Sequence, residues 1–185
     1  MLEDPPPGHY RLPGEGGTVR KHQSRCLCCA RMTESSQFQC PATRRLYTIR
    51  NWFYDCTSRW VIYVCYCTTH SECLYVGQTV DGRGMYGRHA HHREEIKLGK
   101  GGLGEHYHSQ HSDSTDTLQI TIIDSVKPGN HALLDQKEER WMYNLRALDF
   151  MGYGGLNKRD DLDRNRERCN CKFCKTNQNR TVGSN

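Results

Sequence analysis

The sequence predicts a small α+β domain, a mostly antiparallel three-stranded sheet flanked by helices, and three observations carry that expectation. Between residues 59 and 157 the periodicities run strand, strand, helix, strand, helix. Only a short polar turn separates the first two strands, which makes them an antiparallel hairpin. The last helix carries an apolar stripe able to cover a face of such a sheet.

The elements follow in order. "RWVIYVCYC" (59–67) and "CLYVGQT" (73–79) are rich in β-branched and aromatic residues, and "TTHSE" joins them. If Cys67 faces Cys73 across the turn, Cys65 faces Tyr75 and Tyr63 faces Gly77. Strand alternation then puts both tyrosines on one face. "YGRHAHHREEIKL" reads as a helix with Met85, Arg88, His92 and Ile96 on one side, and "EHYHSQH" as a short helix or turn. "LQITIIDSV" is the third strand. "KPGN" then breaks the chain before the long helix "HALLDQKEERWMYNLRAL". Leu134, Trp141, Leu145 and Leu148 form its stripe, and the residue completing it is Glu138. A carboxylate there either lies at the stripe's edge, paired with an arginine, or binds a metal.

Composition bounds the rest. Of 185 residues 35% are hydrophobic, so the core is modest, and no apolar run reaches the length that spans a bilayer. The net charge of +5 is mild, but residues 17–50 hold seven Lys or Arg against one Glu, and residues 158–185 hold eight against four acidic groups. Basic flanks suit a phosphate backbone, although solvated tails have the same composition. We divide the chain into a Pro/Gly-rich disordered leader (1–24), a basic cysteine-containing segment (25–58), the packed domain (59–157) and a basic tail with a CxCxxC motif (158–185). The polar start has no signal-peptide pattern, and the expectation is a soluble intracellular protein.

Eleven cysteines, an odd number at short spacings, favour metal ligation over a disulfide framework. Cys67 and Cys73 bracket a tight turn, and His106 with His111 supplies two imidazoles from one short element, together a Cys2His2 zinc set. His108 is an alternative to either histidine, and Cys65 to Cys67; buried thiols and surface imidazoles would be the metal-free reading. Among the other cysteines, Cys26, Cys28, Cys29, Cys40 and Cys56 lie on one side and Cys169, Cys171 and Cys174 on the other. A second zinc site is expected from Cys26, Cys29, Cys169, Cys171 and Cys174.

"IY" at Ile62 and Tyr63, "YVG" at Tyr75 to Gly77, Arg88 followed by His92, Glu138 on the long helix and "GLN" ending at Asn157 resemble the ordered motifs of the GIY-YIG nucleases. Val61 stands where that family usually has Gly. "CTTHSEC" followed by "HYHSQH" is similar to the Cys-Cys-His-His arrangement in the endonuclease domain of Penelope-like retroelements. The resemblance covers residues 59–157. It implies a DNA endonuclease, nuclear, preparing target DNA for insertion, with RNA or a reverse-transcriptase-bearing polypeptide as further partners. The chain would be an excised domain, a truncated relative or a captured copy. It also implies roles. Glu138 would hold catalytic Mg²⁺ or Mn²⁺, Tyr63 would take the proton of the attacking water directly or through Tyr75, and Arg88 would bind the non-bridging oxygens. His92 would orient water or phosphate, and Asn157 would fix the active-site loop. The other class of function consistent with these residues is a non-catalytic, zinc-stabilised nucleic-acid-binding module.

Overall fold

The computed structural model describes residues 18–19, 26–33, 35–49 and 53–168. In chain order the elements are β1 (Thr18–Val19), α1 (Leu27–Arg31), β2 (Gln37–Gln39), β3 (Leu46–Thr48), β4 (Phe53–Tyr54), β5 (Val61–Cys67), β6 (Leu74–Thr79), α2 (Gly84–Lys97), α3 (Gly101–His111), β7 (Leu118–Ser125), α4 (His131–Asn144), a 3₁₀ turn (Asp149–Met151) and α5 (Arg159–Arg168). The protein is α+β, and its main sheet has the order β6-β5-β7 with every pair antiparallel.

Because β5 is central and covered on both faces, every residue of Val61–Cys67 except Tyr66 is buried. Odd positions of β5 (Val61, Tyr63, Cys65, Cys67) join α1, α2 and α3 in one apolar cluster with Met85, Ile96, Leu103 and Tyr107. Even positions (Ile62, Val64) join Leu74 and Val76 of β6 in a second cluster, with Leu134 and Met142 of α4, Phe38 of β2 and Leu162 of α5. The register against β7 shifts between Ile62 and Tyr63, so Ile123 has no facing residue on β5. The extra residue sends Ile122 into the first cluster and Ile123 into the second.

The hairpin register matches expectation: Cys65 faces Tyr75, Tyr63 faces Gly77, and Cys67 N–H donates to the Cys73 carbonyl at 3.2 Å. Other boundaries differ. α3 begins at Gly101, four residues before the first residue of "EHYHSQH", because its first turn holds three glycines that mask helical periodicity. α4 ends at Asn144 rather than continuing to Leu148, since the chain turns through a left-handed Arg146 (φ 58°). Its buried side chains are Leu134, Asp135, Glu138 and Met142, with Trp141 half-buried; Leu145 and Leu148 are buried beyond the helix end. The cysteine-containing segment is not bare coil. It holds α1 and the β2–β3 hairpin, and β1, within the stretch read as a leader, pairs in parallel with β4. Among the described residues no helix is long and apolar enough to cross a membrane.

Candidate functional site

The two tyrosines meet at the edge strand β6. Arg88, on the face of α2 turned to the sheet, donates from Nε to the Tyr63 hydroxyl at 2.8 Å and from Nη2 to the Tyr75 hydroxyl at 3.2 Å. Gly77, opposite Tyr63, makes room for this: a Cβ there would sit 2.8 Å from a ring carbon of Tyr75 and press on the Tyr63 hydroxyl. A glycine is required where two rings crowd one backbone position.

A second hydrogen bond orders the proton on Tyr63. His92 Nε2 lies 2.7 Å from the Tyr63 hydroxyl, and its Nδ1 lies 2.6 Å from Glu95 Oε2. Since the carboxylate accepts from Nδ1–H, Nε2 is the acceptor, and Tyr63 donates to it while accepting from Arg88. Burial, with Arg88 adding to it and Glu95 opposing, holds His92 down to about 4, so the ring is neutral. Burial likewise raises both phenols well above their ordinary range, against the pull of the Arg88 guanidinium. Glu95 was missed in the sequence, although it stands three residues after His92 on the same helix.

The hydroxyl of Tyr63 is fully covered, whereas Tyr75 and Arg88 border a cleft of mixed charge, lined also by Lys100 and Lys158 and by Glu95, Asp160 and Asp161. Two of the guanidinium's N–H groups are occupied by the phenols, which leaves the remainder of the fork to meet an anion. The first turn of α3, with no side-chain cap, forms part of the same wall.

Glu138 reaches this edge from the opposite face of the sheet. Gln78, next to Gly77 but pointing to α4, donates from Nε2 to Glu138 Oε2 at 2.9 Å and also to Asp135. The two carboxylates, one helical turn apart, are drawn to one amide and are both buried. Their oxygen donors suit a hard divalent cation; at Tyr75, burial raises the phenol first, and the charges of Asp161 and then Glu138 add to it. Asn157 is also buried, and its amide takes the place of a neighbouring strand: Oδ1 accepts from Val76 N–H at 2.7 Å and Nδ2 donates to the Val76 carbonyl at 2.8 Å.

A separate centre lies at the hairpin turn. Donor atoms of Cys67, His70, His106 and His111 all lie within 4.8 Å of one another. Cys67 Sγ is 3.5 Å from His70 Nδ1 and 3.3 Å from His111 Nε2. His106 Nε2 is buried with no hydrogen-bond partner, as a nitrogen reserved for a metal would be. Burial opposes ionisation of Cys67, but Thr69, the neighbouring His106 and Thr117 outweigh it and hold the thiol down to about 5, a thiolate ready to ligate. The set can hold a metal ion such as zinc. It is Cys1His3 and differs from the expected Cys2His2: Cys73 is not among the converging donors, and burial followed by the charge of Glu72 pushes its thiol up to about 11. His70 takes its place because the turn folds back over Cys67, and the Cys-x-x-His spacing was the signal for it. Neither alternative enters: His108 is turned to Asp113 at 2.8 Å, and Cys65 is buried in the first apolar cluster.

Of the expected second set, Cys26 and Cys29 come together, and Cys56 joins them. Cys169, Cys171 and Cys174 lie outside the described residues. No family model matches the chain, and no curated protein or solved structure is significantly similar to it.

Proposed function

We propose that the chain is a metal-dependent endonuclease of GIY-YIG type that hydrolyses phosphodiester bonds in DNA. The observation that carries the reading is the half-buried Arg88 guanidinium joining the hydroxyls of Tyr63 and Tyr75 beside a cleft whose walls carry Lys100 and Lys158 as well as Glu95, Asp160 and Asp161. An arginine fixed by two phenols, with donors to spare, is an arrangement for a phosphate and not one that packing requires.

In this reading Arg88 binds the non-bridging oxygens and strengthens its hold as charge develops there. Tyr75, at the cleft, meets the attacking water. Tyr63 would relay the proton in one concerted step: its oxygen takes the proton of the attacking water as its own proton passes to His92 Nε2, so no free phenolate forms. Glu95 and the charge of a bound phosphate would first have to raise the basicity of His92, which is low in the empty site. Apo geometry places Tyr63 one side chain away from the cleft, so substrate binding has to open that contact. Glu138, with Asp135 beside it, would hold Mg²⁺ or Mn²⁺, which supplies charge withdrawal from the scissile phosphate and the leaving oxygen. Asn157 keeps β6 and its tyrosine in register. Cys67, His70, His106 and His111 would hold a structural zinc ion joining the hairpin turn to α3. The relation to Penelope-like endonuclease domains, with their role in target-DNA preparation, belongs to the same proposal and is supported by the ordered motifs.

Incubation with supercoiled plasmid and Mg²⁺ or Mn²⁺ tests it. The wild-type chain should convert the plasmid to nicked or linear forms and Glu138→Ala should not; equal cleavage by the variant would overturn the assignment.

A further inference from the structure

Cys26, Cys29 and Cys56 have no part in the cleft or the hairpin centre, yet their sulfurs all lie within 4.8 Å of one another. Cys26 is the N-cap of α1, Cys29 ends its first turn, and Cys56 arrives from the loop after β4, thirty residues along the chain. The Cys26 and Cys56 sulfurs are 3.8 Å apart. That is far beyond the S–S bond of about 2.0 Å. It equals the edge, about 3.8 Å, of a tetrahedron whose centre lies about 2.3 Å from each sulfur. Cys29 N–H also points to the Cys26 sulfur at 3.5 Å, a bond that favours thiolate over thiol.

Packing alone does not account for the cluster. A buried cysteine acting as a small hydrophobe disperses into the core, and Cys28, between two members of the cluster, is fully buried without joining it. The three that converge join the start of the short helix α1 to a loop thirty residues further on, a place where a cross-link is what holds a fold. We propose that Cys26, Cys29 and Cys56 form a second metal site, supplying three of the four positions of a zinc ion. Its place in the fold gives it a task. The Cys56 carbonyl accepts Tyr86 N–H at 2.7 Å and the Ser58 carbonyl accepts Met85 N–H at 3.1 Å, so this loop caps α2, which has no side-chain cap of its own. Gly84, in a left-handed conformation at φ 62°, lets the loop backbone approach that closely. The site therefore braces the start of the helix that carries Arg88 and His92, whether or not the chain cuts DNA.

Native mass spectrometry of the full chain, purified with reductant and zinc, tests the proposal. Wild type should carry two zinc ions, and Cys56→Ser and Cys67→Ser one each. A chain that carries one ion, lost in Cys56→Ser and kept in Cys67→Ser, would sustain this site and overturn the hairpin centre. With cobalt in place of zinc, the thiolate charge-transfer absorbance should fall by about three-quarters in Cys56→Ser, matching three of four thiolates. If Cys56→Ser does not fold, Cys56→Val and Cys56→His replace it: the first keeps apolar volume and should lose one ion, the second keeps a ligand and should retain it. Two ions in Cys56→Val, a single ion in wild type that survives in Cys56→Ser, or a disulfide between two of these three cysteines that persists in the protein purified with reductant would overturn the site.

Discussion

The hydroxyl of Tyr63 has no contact with solvent, so the direction of its proton is decided by the two groups it touches. Arg88 can only donate and neutral His92 can accept, which makes Glu95 the residue that fixes the tautomer. Glu95→Gln should therefore lower the cleavage rate by about tenfold or more without weakening DNA binding, since it removes a negative charge from the cleft wall; a wild-type rate would show that the His92 tautomer does not matter. A second residue-scale prediction concerns acid. Burial, with neighbouring positive charge, holds His89 and His92 down to about 4; His92, Arg93 and Arg31 face the former, and Arg88, Glu95, His91 and the two tyrosines the latter. In the unfolded chain both return to about 6.5. Above that both states are neutral and stability is full; as pH falls toward 4 the unfolded chain takes up protons that the folded one refuses. Each histidine then costs about 1.4 kcal/mol per pH unit. Urea unfolding of His89→Leu beside wild type should show the variant losing stability less steeply between pH 6 and pH 4.5, by about one proton. Parallel curves would mean His89 is protonated in the fold.

At the scale of elements, β6 is paired with β5 on one side, and on its outer edge the Asn157 amide holds Val76 beside a backbone bond from Leu156 N–H to the Leu74 carbonyl. Asn157→Ala removes both bonds to Val76 and leaves that buried peptide unsatisfied, at a cost of about 1–3 kcal/mol. An unchanged urea midpoint would show that water replaces the amide. The hairpin turn gives a sharper test. His70→Ala should lose one zinc equivalent by elemental analysis, and Cys73→Ser should keep it; the reverse pattern would restore the two-thiol set. These elements also show what the sequence makes legible. Alternation along β5 and β6 and the helical period of α2 bring Tyr63, Tyr75, Arg88 and His92 together, because periodicity determines which side of an element a residue occupies. His70 and Glu95 were missed because each acts through a local fold, a turn bending back and a three-residue step, that periodicity does not weigh. Cys56 stood among the cysteines available for a second site but outside the expected set, because nothing in the spacing shows that its loop lies against α1.

Across the whole molecule, the sheet separates two apolar clusters, and residues from both sides converge at its β6 edge. Tyr63, Tyr75 and Arg88 come from the α2 side, Gln78 and Glu138 from the α4 side, and Asn157 closes the strand between them. In the proposed reading, Arg88 held by both phenols serves the cutting step, and the cleft lysines serve DNA binding. Arg88→Ala removes that link and leaves Lys100 and Lys158 in the cleft. The direct measurement is single-turnover cleavage of supercoiled plasmid at saturating protein with Mg²⁺, wild type beside Arg88→Ala, with DNA affinity measured in parallel. The account predicts cleavage by wild type, a loss of at least about a hundredfold in the variant, and affinity within severalfold of wild type. Wild-type cleavage by Arg88→Ala, or binding without cleavage by the wild-type chain, would contradict it.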